Sequence, residues 1–158
     1  MSDSRASMWM GTISHEGYRF LAHTAQMWRV TEAETDHRGW GFRIRTGKPT
    51  VEPTSEKPGL YEKGVSIEAE DGPIPLPNVG DLTGVDFRLD PSYDLETGDV
   101  YFSFTATHWH EVSQLHIRFL ERDGERYRIE LSVLVHRVFE EVDEARYEGW
   151  IDVVDGPD

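Results

Sequence analysis

Residues 115 to 135 read LHIRFLERDGERYRIELSVLV, and this stretch decides the fold. Apolar side chains occupy alternate positions on both sides of a short charged segment. Because successive side chains of a strand point to opposite faces, this period of two predicts two half-buried antiparallel strands joined by a tight turn. A three-residue loop, Arg122 to Gly124, with Gly124 in the left-handed conformation, would pair Phe119 with Tyr127 and keep both apolar faces together.

The same alternation precedes this hairpin in residues 102 to 112, FSFTATHWHEV. We expect a four-residue loop at Glu111 to Gln114 to connect the two segments. In that register His108 lies opposite Ile117, and His110 belongs to the same face. The two histidines are therefore predicted on the apolar side of the sheet, with the tryptophan between them on the other side.

Further strands are predicted on both sides of this region. A last strand, Arg146 to Val154, returns beside Ser132 to Phe139, which gives a C-terminal four-stranded meander. Earlier in the chain, alternation predicts half-buried antiparallel strands at Trp40 to Arg45, Val65 to Glu68 and Val85 to Asp90, and Tyr18 to Leu21 and Met27 to Val30 are weaker strand candidates. Two proline-rich passages, Lys48 to Pro58 and Asp71 to Pro77, are predicted as loops or edge segments, because proline donates no ladder hydrogen bond.

The composition is that of a globular protein with one core. A chain of 158 residues with 37% hydrophobic residues can bury a core of its own, so we expect one domain spanning residues 1–158. The apolar face of the meander needs a second layer, which the earlier strands can supply. The predicted fold is therefore all-β, a single-domain antiparallel β-sandwich or β-barrel.

Charge and cysteine content limit the function classes. The chain has no cysteine, so disulfides, thiolate metal sites and thiol catalysis are excluded. The net charge of −14 lies mostly in the second half: residues 80 to 158 carry seven Lys or Arg against nineteen Asp or Glu. Such a surface repels phosphate backbones, so we expect no nucleic-acid partner. The acidic surface either serves only to keep the protein soluble or docks a basic protein partner. With no apolar run long enough for a membrane span or a signal peptide, we expect a cytoplasmic protein that does not enter membranes.

The histidine pair is the candidate site. His108 and His110 would lie about 7 Å apart along one strand, close enough to share a metal ion, with Glu111 as a third ligand. Without a metal, the same face of the strand could bind a small ligand. The candidate ligand-binding residues are His108, His110, Phe104 and Ile117. The alternative is that both histidines are neutral core or rim residues with no chemical role.

Known motifs do not name a reaction. HisTrpHis at 108 to 110 has the HxH spacing that cupins place on a barrel strand, but Gln114 stands at the fourth position after His110. Segment 110 to 116, HEVSQLH, begins like a zinc-protease helix, but its second histidine comes too late in the sequence. Neither pattern supports an assignment, no cofactor can be named, and enzymatic activity is left open.

Three hypotheses follow. The first is a non-enzymatic binding module, similar to an inhibitor or immunity protein in size and charge alone, whose acidic second half docks a basic protein. The second is a small-ligand or metal site within the β-structure near His108 and His110, with catalysis left open. The third is a homo-oligomer in which surface strands of two copies pair.

Overall fold

The structure is a computed structural model that describes residues 10–31, 38–52, 62–77, 79–89, 103–105, 109–136 and 142–155. This part of the chain contains strands and no helix. The strands, in chain order, are β1 (Gly11–His15), β2 (Tyr18–Thr31), β3 (Arg38–Thr46), β4 (Ser66–Ile74), β5 (Asp86–Leu89), β6 (Ser103–Thr105), β7 (Trp109–Asp123), β8 (Arg126–His136) and β9 (Val142–Val153). The predicted all-β, antiparallel fold is confirmed for these residues.

All nine strands belong to one curled sheet with the form of a half-barrel. Eight strands follow one another in the order β7-β6-β4-β3-β2-β1-β9-β8, and β5 lies beside β7. Neighbouring strands run antiparallel, apart from a short parallel contact between β2 and β9 at Gln26 and Met27. Strand β7 also pairs with β8 over almost its whole length. The second and first halves of the chain are thus joined within one sheet.

Alternation determines which side chains are buried. In β3, Trp40, Phe42 and Ile44 are buried, and the residues that alternate with them include the more exposed Arg43 and Arg45. The same rule places residues of every long strand in one hydrophobic cluster. Members of that cluster are Ile13, Phe20, Met27, Phe42, Ile44, Ile67, Leu115, Ile117, Phe119, Ile129, Leu131, Val133, Tyr147 and Ile151. The predicted inward faces of β3, β7 and β8 are confirmed.

The turn between β7 and β8 differs from the predicted one. Asp123 pairs with Arg126, so the loop contains two residues, and Gly124 has a φ of 63°. A register shift between Phe119 and Glu121 inserts one extra residue into β7. Phe119 therefore pairs with Ile129 instead of Tyr127, which makes the predicted three-residue loop wrong. The bulge restores the alternation that a two-residue loop alone would reverse, so apolar side chains still face each other.

The predicted loop at Glu111 to Gln114 is also wrong. Strand β7 runs without interruption from Trp109 to Asp123 and includes this segment. It pairs first with β6, where Phe104 is opposite His110, and further along with β5, where Phe87 is opposite Ile117. The predicted loop and second strand are thus parts of one long strand, and residues 103–105 of the first predicted strand form the separate strand β6.

Elsewhere the predicted elements merge or extend. The two weak candidates of the first half form the single strand β2, with a register shift between Ala22 and Thr24. Strand β4 continues through most of the second proline-rich passage to Ile74, and a further irregularity lies opposite Trp40 and Phe42. Strand β9 begins at Val142, before its predicted start. Most of the first proline-rich passage lies outside the described residues.

The segment between β4 and β5 packs two leucines into the core. Leu76 and Leu82 are buried, and the backbone N–H of Leu82 donates a 3.0 Å hydrogen bond to the Tyr127 hydroxyl. The Arg29 guanidinium donates to the carbonyl of Val79, and Arg122 donates to that of Gly80. Residues 79–84 are thereby held against β2, β7 and β8. We call residues 79–84 the tethered loop.

Candidate functional site

The histidine pair predicted from the sequence is only partly within the described structure. His108 lies outside the described residues, and for Phe104, His110 and Glu111 the structure gives the backbone alone. Phe104 and His110 are direct partners across β6 and β7, which brings their backbones together. The metal prediction for His108, His110 and Glu111 stays a prediction. Among the described side chains, no group of three or more His, Asp or Glu could hold a metal ion.

Ile117 does not belong with that pair. It lies roughly 23 Å from His110 along β7, at about 3.3 Å per residue. Its side chain is 1% exposed and packs in the core, and its cross-strand partners are Phe87 and Leu131. The predicted contact between His108 and Ile117 depended on the loop at Glu111 to Gln114, which the continuous strand rules out. Ile117 is a core residue.

A groove lies on the outer face of the sheet, where β5, β7, β8 and β9 run side by side. Its volume is about 340 Å³, and the residues that line it are Arg88, Gln114, Leu115, His116, Ser132, Val133, Leu134 and Glu144. Most of these residues alternate with core residues, so they point away from the hydrophobic cluster. The groove combines charged and hydroxyl groups with a partly apolar floor, as small-molecule sites do.

The strand registers place three polar residues of the groove in one line with Arg146. Arg88 is opposite His116, His116 is opposite Ser132, and Ser132 is opposite Arg146. Neighbouring strands are about 4.8 Å apart, so the line crosses β5, β7, β8 and β9 with one side chain per strand. We call Arg88, His116, Ser132 and Arg146 the polar row.

Asp86 fixes the histidine of the polar row. The Nε2 atom of His116 lies 2.6 Å from Asp86 Oδ1, which accepts its proton in a hydrogen bond. This hydrogen bond, with the further attraction of Arg118 and Arg88, lowers the pKa of Asp86 below its ordinary value. The His116 side chain is only 26% exposed. The carboxylate therefore orients the imidazole ring, and the second ring nitrogen is left for other contacts.

Several other charged side chains on this outer face of the sheet pair with one another. Arg118 lies 3.7 Å from both Asp86 and Glu130, and Arg146 lies 3.6 Å from Glu144. Cross-strand pairs of opposite charge stabilise a sheet by modest amounts. The outer face of the acidic second half is therefore not uniformly negative, because Arg118 and Arg146 pair with carboxylates of this face.

Three exposed carboxylates belong to the β7–β8 turn and to the segment that follows β9. Asp123 and Glu125 flank the β7–β8 turn, and Asp155 follows β9; all three are exposed. The backbone of Val153 donates a 2.7 Å hydrogen bond to the carbonyl of Glu125, which holds the turn beside the end of β9. Within the described residues none of the three has a basic side chain within 4.0 Å. We call Asp123, Glu125 and Asp155 the acidic rim.

The sequence contained part of the signal for the groove. Alternation alone places Asp86, Arg88 and His116 on outward faces. Nothing local indicates that β5 pairs with β7, because the two strands are distant in the chain and a long segment separates them. The contact between Asp86 and His116 therefore could not be found without the register.

No family model, no curated protein and no solved structure matches this chain significantly. The described part of the chain also contains no helix that is long and apolar enough to cross a membrane.

Proposed function

We propose that this chain is a non-enzymatic binding module that docks a basic protein partner through the acidic rim. The observation that supports this proposal is the difference between two sets of carboxylates. Those of the outer wall, such as Asp86, Glu130 and Glu144, have arginine partners within 4.0 Å. Those of the rim have none among the described residues. Unpaired exposed carboxylates can attract lysine and arginine side chains without first breaking an internal ion pair.

Arg126, which follows Glu125 of the rim in the chain, already pairs with a carboxylate outside the rim. Asp152 lies just before the rim in β9, and its burial raises the pKa of its carboxyl although Arg126 lowers it. The Arg126 Nε atom is 3.6 Å from Asp152 Oδ1. This arginine is therefore already engaged by Asp152. The charge of the rim stays available to a partner.

The scaffold proposed for this module is a β-barrel with a C-terminal meander. Starting at β7, the succession of pairings passes through β6, β4, β3, β2, β1, β9 and β8 and returns to β7. A ring of this kind supports a barrel over a sandwich. The successive pairing of β6, β7, β8 and β9 supports the four-stranded meander. The cytoplasmic location expected from the sequence belongs to the same proposal.

The test compares two double variants that remove the same charge. Asp123→Asn with Glu125→Gln alters the rim, and Glu52→Gln with Glu62→Gln alters exposed carboxylates of the first half. Binding of a labelled lysine-rich peptide is measured by fluorescence anisotropy at low and high salt. We expect the rim variant to bind about tenfold more weakly at low salt and the control to bind like wild type. Equal losses in both variants, or binding that salt does not weaken, would contradict the proposal.

The second candidate function is a small-ligand or metal site near His108 and His110. The pairing of Phe104 with His110 supports it, because this pairing brings two of the predicted ligand-binding positions side by side. Metal analysis of protein purified without a histidine tag, repeated on a His108→Ala, His110→Ala variant, tests it. Stoichiometric metal that is lost in the variant would support the site. No metal in either protein, together with unchanged ligand binding, would reject it.

The third candidate, a homo-oligomer, is tested separately. Light scattering coupled to gel filtration gives the mass in solution at several concentrations. A mass of one chain at every concentration would reject it.

A further inference from the structure

The polar row continues beyond the groove across the outer face of the sheet. Arg146 is opposite Ser14 of β1, and Ser14 is opposite Arg19 of β2. The extended row therefore has six positions, one on each of six neighbouring strands. They hold three arginines, one histidine and two serines: Arg88, His116, Ser132, Arg146, Ser14 and Arg19. No carboxylate occupies any of these six positions. In a chain of net charge −14 this row is an unusual concentration of hydrogen-bond donors.

The carboxylates around the groove lie in the rows on either side. Asp86 and Glu130 belong to the row that contains Arg118, and both lie 3.7 Å from that arginine. Glu144, on the other side, lies 3.6 Å from Arg146. Each of these three acids is therefore already paired with an arginine, Arg118 or Arg146.

Arg88 is different from its neighbours. Within the described residues, no carboxylate oxygen lies within 4.0 Å of its guanidinium. It contributes only a weaker, longer-range attraction to Asp86. Arg88 lines the groove beside His116. Its planar guanidinium has no ion-pair partner among the described carboxylates, so it can bind an anion in the groove.

We propose that the groove binds a small ligand through an oxyanion group, held by Arg88 and Ser132 beside the His116 ring. A guanidinium offers two parallel N–H donors to a phosphate or carboxylate, and the serine hydroxyl can add a third donor. The imidazole ring is held in place by Asp86, so little side-chain freedom is lost when the ligand binds. The half-buried side chain of Leu134 offers an apolar contact to the carbon skeleton that carries the anion.

The dimensions of the groove favour a small molecule over a polyanion. A volume of about 340 Å³ is at the lower end of the range for small-molecule sites. The rows that contain Asp86, Glu130 and Glu144 flank the polar row and would repel an extended phosphate backbone. The ligand is therefore a compact molecule with one anionic group.

The experiment uses inorganic phosphate and acetate as separate probes at constant ionic strength. Saturable chemical-shift changes of the Arg88, His116 and Ser132 amides are followed by NMR in the full chain. Arg88→Gln removes the guanidinium, and Arg128→Gln is the matched control, because Arg128 is an exposed arginine of the same wall that pairs with Glu121 outside the groove. We expect Arg88→Gln to weaken binding about tenfold or more and the control to leave it unchanged.

Ser132→Ala provides a second variant that removes a single hydroxyl, so the test does not depend on Arg88→Gln folding. We expect it to weaken binding about threefold. Tighter binding of phosphate would assign a phosphoryl group, and tighter binding of acetate would assign a carboxylate. The proposal is overturned if neither probe gives saturable shifts, or if Arg128→Gln weakens binding as much as Arg88→Gln. Because the groove and the acidic rim share no residue, this result is independent of the lysine-rich peptide assay.

Discussion

Gly11 and Gly149 lie directly opposite each other in β1 and β9, and their backbones are in contact. A Cβ atom added to Gly11 would lie 2.7 Å from the Cα of Gly149 and 2.8 Å from the Tyr147 hydroxyl oxygen. That hydroxyl is itself fixed, because it donates a hydrogen bond to the carbonyl of Trp150. The contact joins the first described strand of the chain to the last, which are neighbours in the sheet.

Gly11→Ala should therefore destabilise the protein. The neighbouring atoms are backbone and a buried tyrosine, which cannot move away cheaply, and overpacking of this kind costs about 1–3 kcal/mol. Urea denaturation gives the free energy of unfolding. Gly47→Ala is the control, because a Cβ there meets no atom within 4 Å, and its change should stay within about 0.5 kcal/mol. Equal stabilities of the two variants would mean that β1 and β9 are less closely packed than described.

A second prediction concerns the tether between Tyr127 and the tethered loop. Tyr127→Phe removes the acceptor for the Leu82 N–H, and Leu82 is 1% exposed. Leaving a buried donor without a partner costs about 1–3 kcal/mol, and the loop should become more sensitive to proteases. Urea denaturation and limited proteolysis measure these effects. Thr83→Ala, which removes an exposed hydroxyl that contacts Asp81, should have a clearly smaller effect; a reversed order would contradict the role of the tether.

The inward faces of the strands could be predicted from the sequence, whereas the pairing could not. Alternation identified Phe42, Ile44, Leu115, Phe119 and Ile129 as core residues, because a period of two is a local property of the chain. Register depends on turns and bulges, whose extra residue has no clear local signal. The predicted hairpin loops were wrong for this reason, although the side chains predicted to face the core do so.

The candidate sites show the same division. An outward position for His116 follows from the alternation around Leu115 and Ile117. Its partner Asp86 is on a strand that pairs with β7 from a distant part of the chain, so no spacing rule connects them. Likewise the acidic content of the second half was visible, but not which carboxylates pair with arginines. That distinction needs the cross-strand neighbours.

A third prediction uses the lowered pKa of Asp86. Because the hydrogen bond from His116 favours the ionised carboxyl, its contribution to stability is present above the ordinary pKa of 3.8 and is lost as the pH falls through the lower pKa of the folded state. Asp86→Asn should therefore be less stable than wild type near neutral pH, and the difference should shrink below pH 3.8. Urea denaturation across this pH range tests the sign. A difference that grows towards acid would show that the carboxyl is not favoured in its charged form.

Asp152 gives a prediction of the opposite sign. Burial raises the pKa of its carboxyl, while Arg126 lowers it, and the effect of burial is larger. The 3.6 Å separation from Arg126 Nε is too long for a hydrogen bond, so the ion pair offsets only part of the desolvation cost. The folded state therefore holds this proton more tightly than the unfolded state.

The stability that Asp152 contributes is then fully present below pH 3.8 and is lost as the pH rises through the higher pKa of the folded state. Asp152→Asn should gain stability relative to wild type as the pH rises from below 3.8 towards neutrality. The measurement is urea denaturation at matched pH values, with Asp86→Asn as the control of opposite trend. If Asp152→Asn instead loses stability relative to wild type as the pH rises, the pair with Arg126 outweighs burial, and the charged carboxylate is a stabilising part of this end of the sheet.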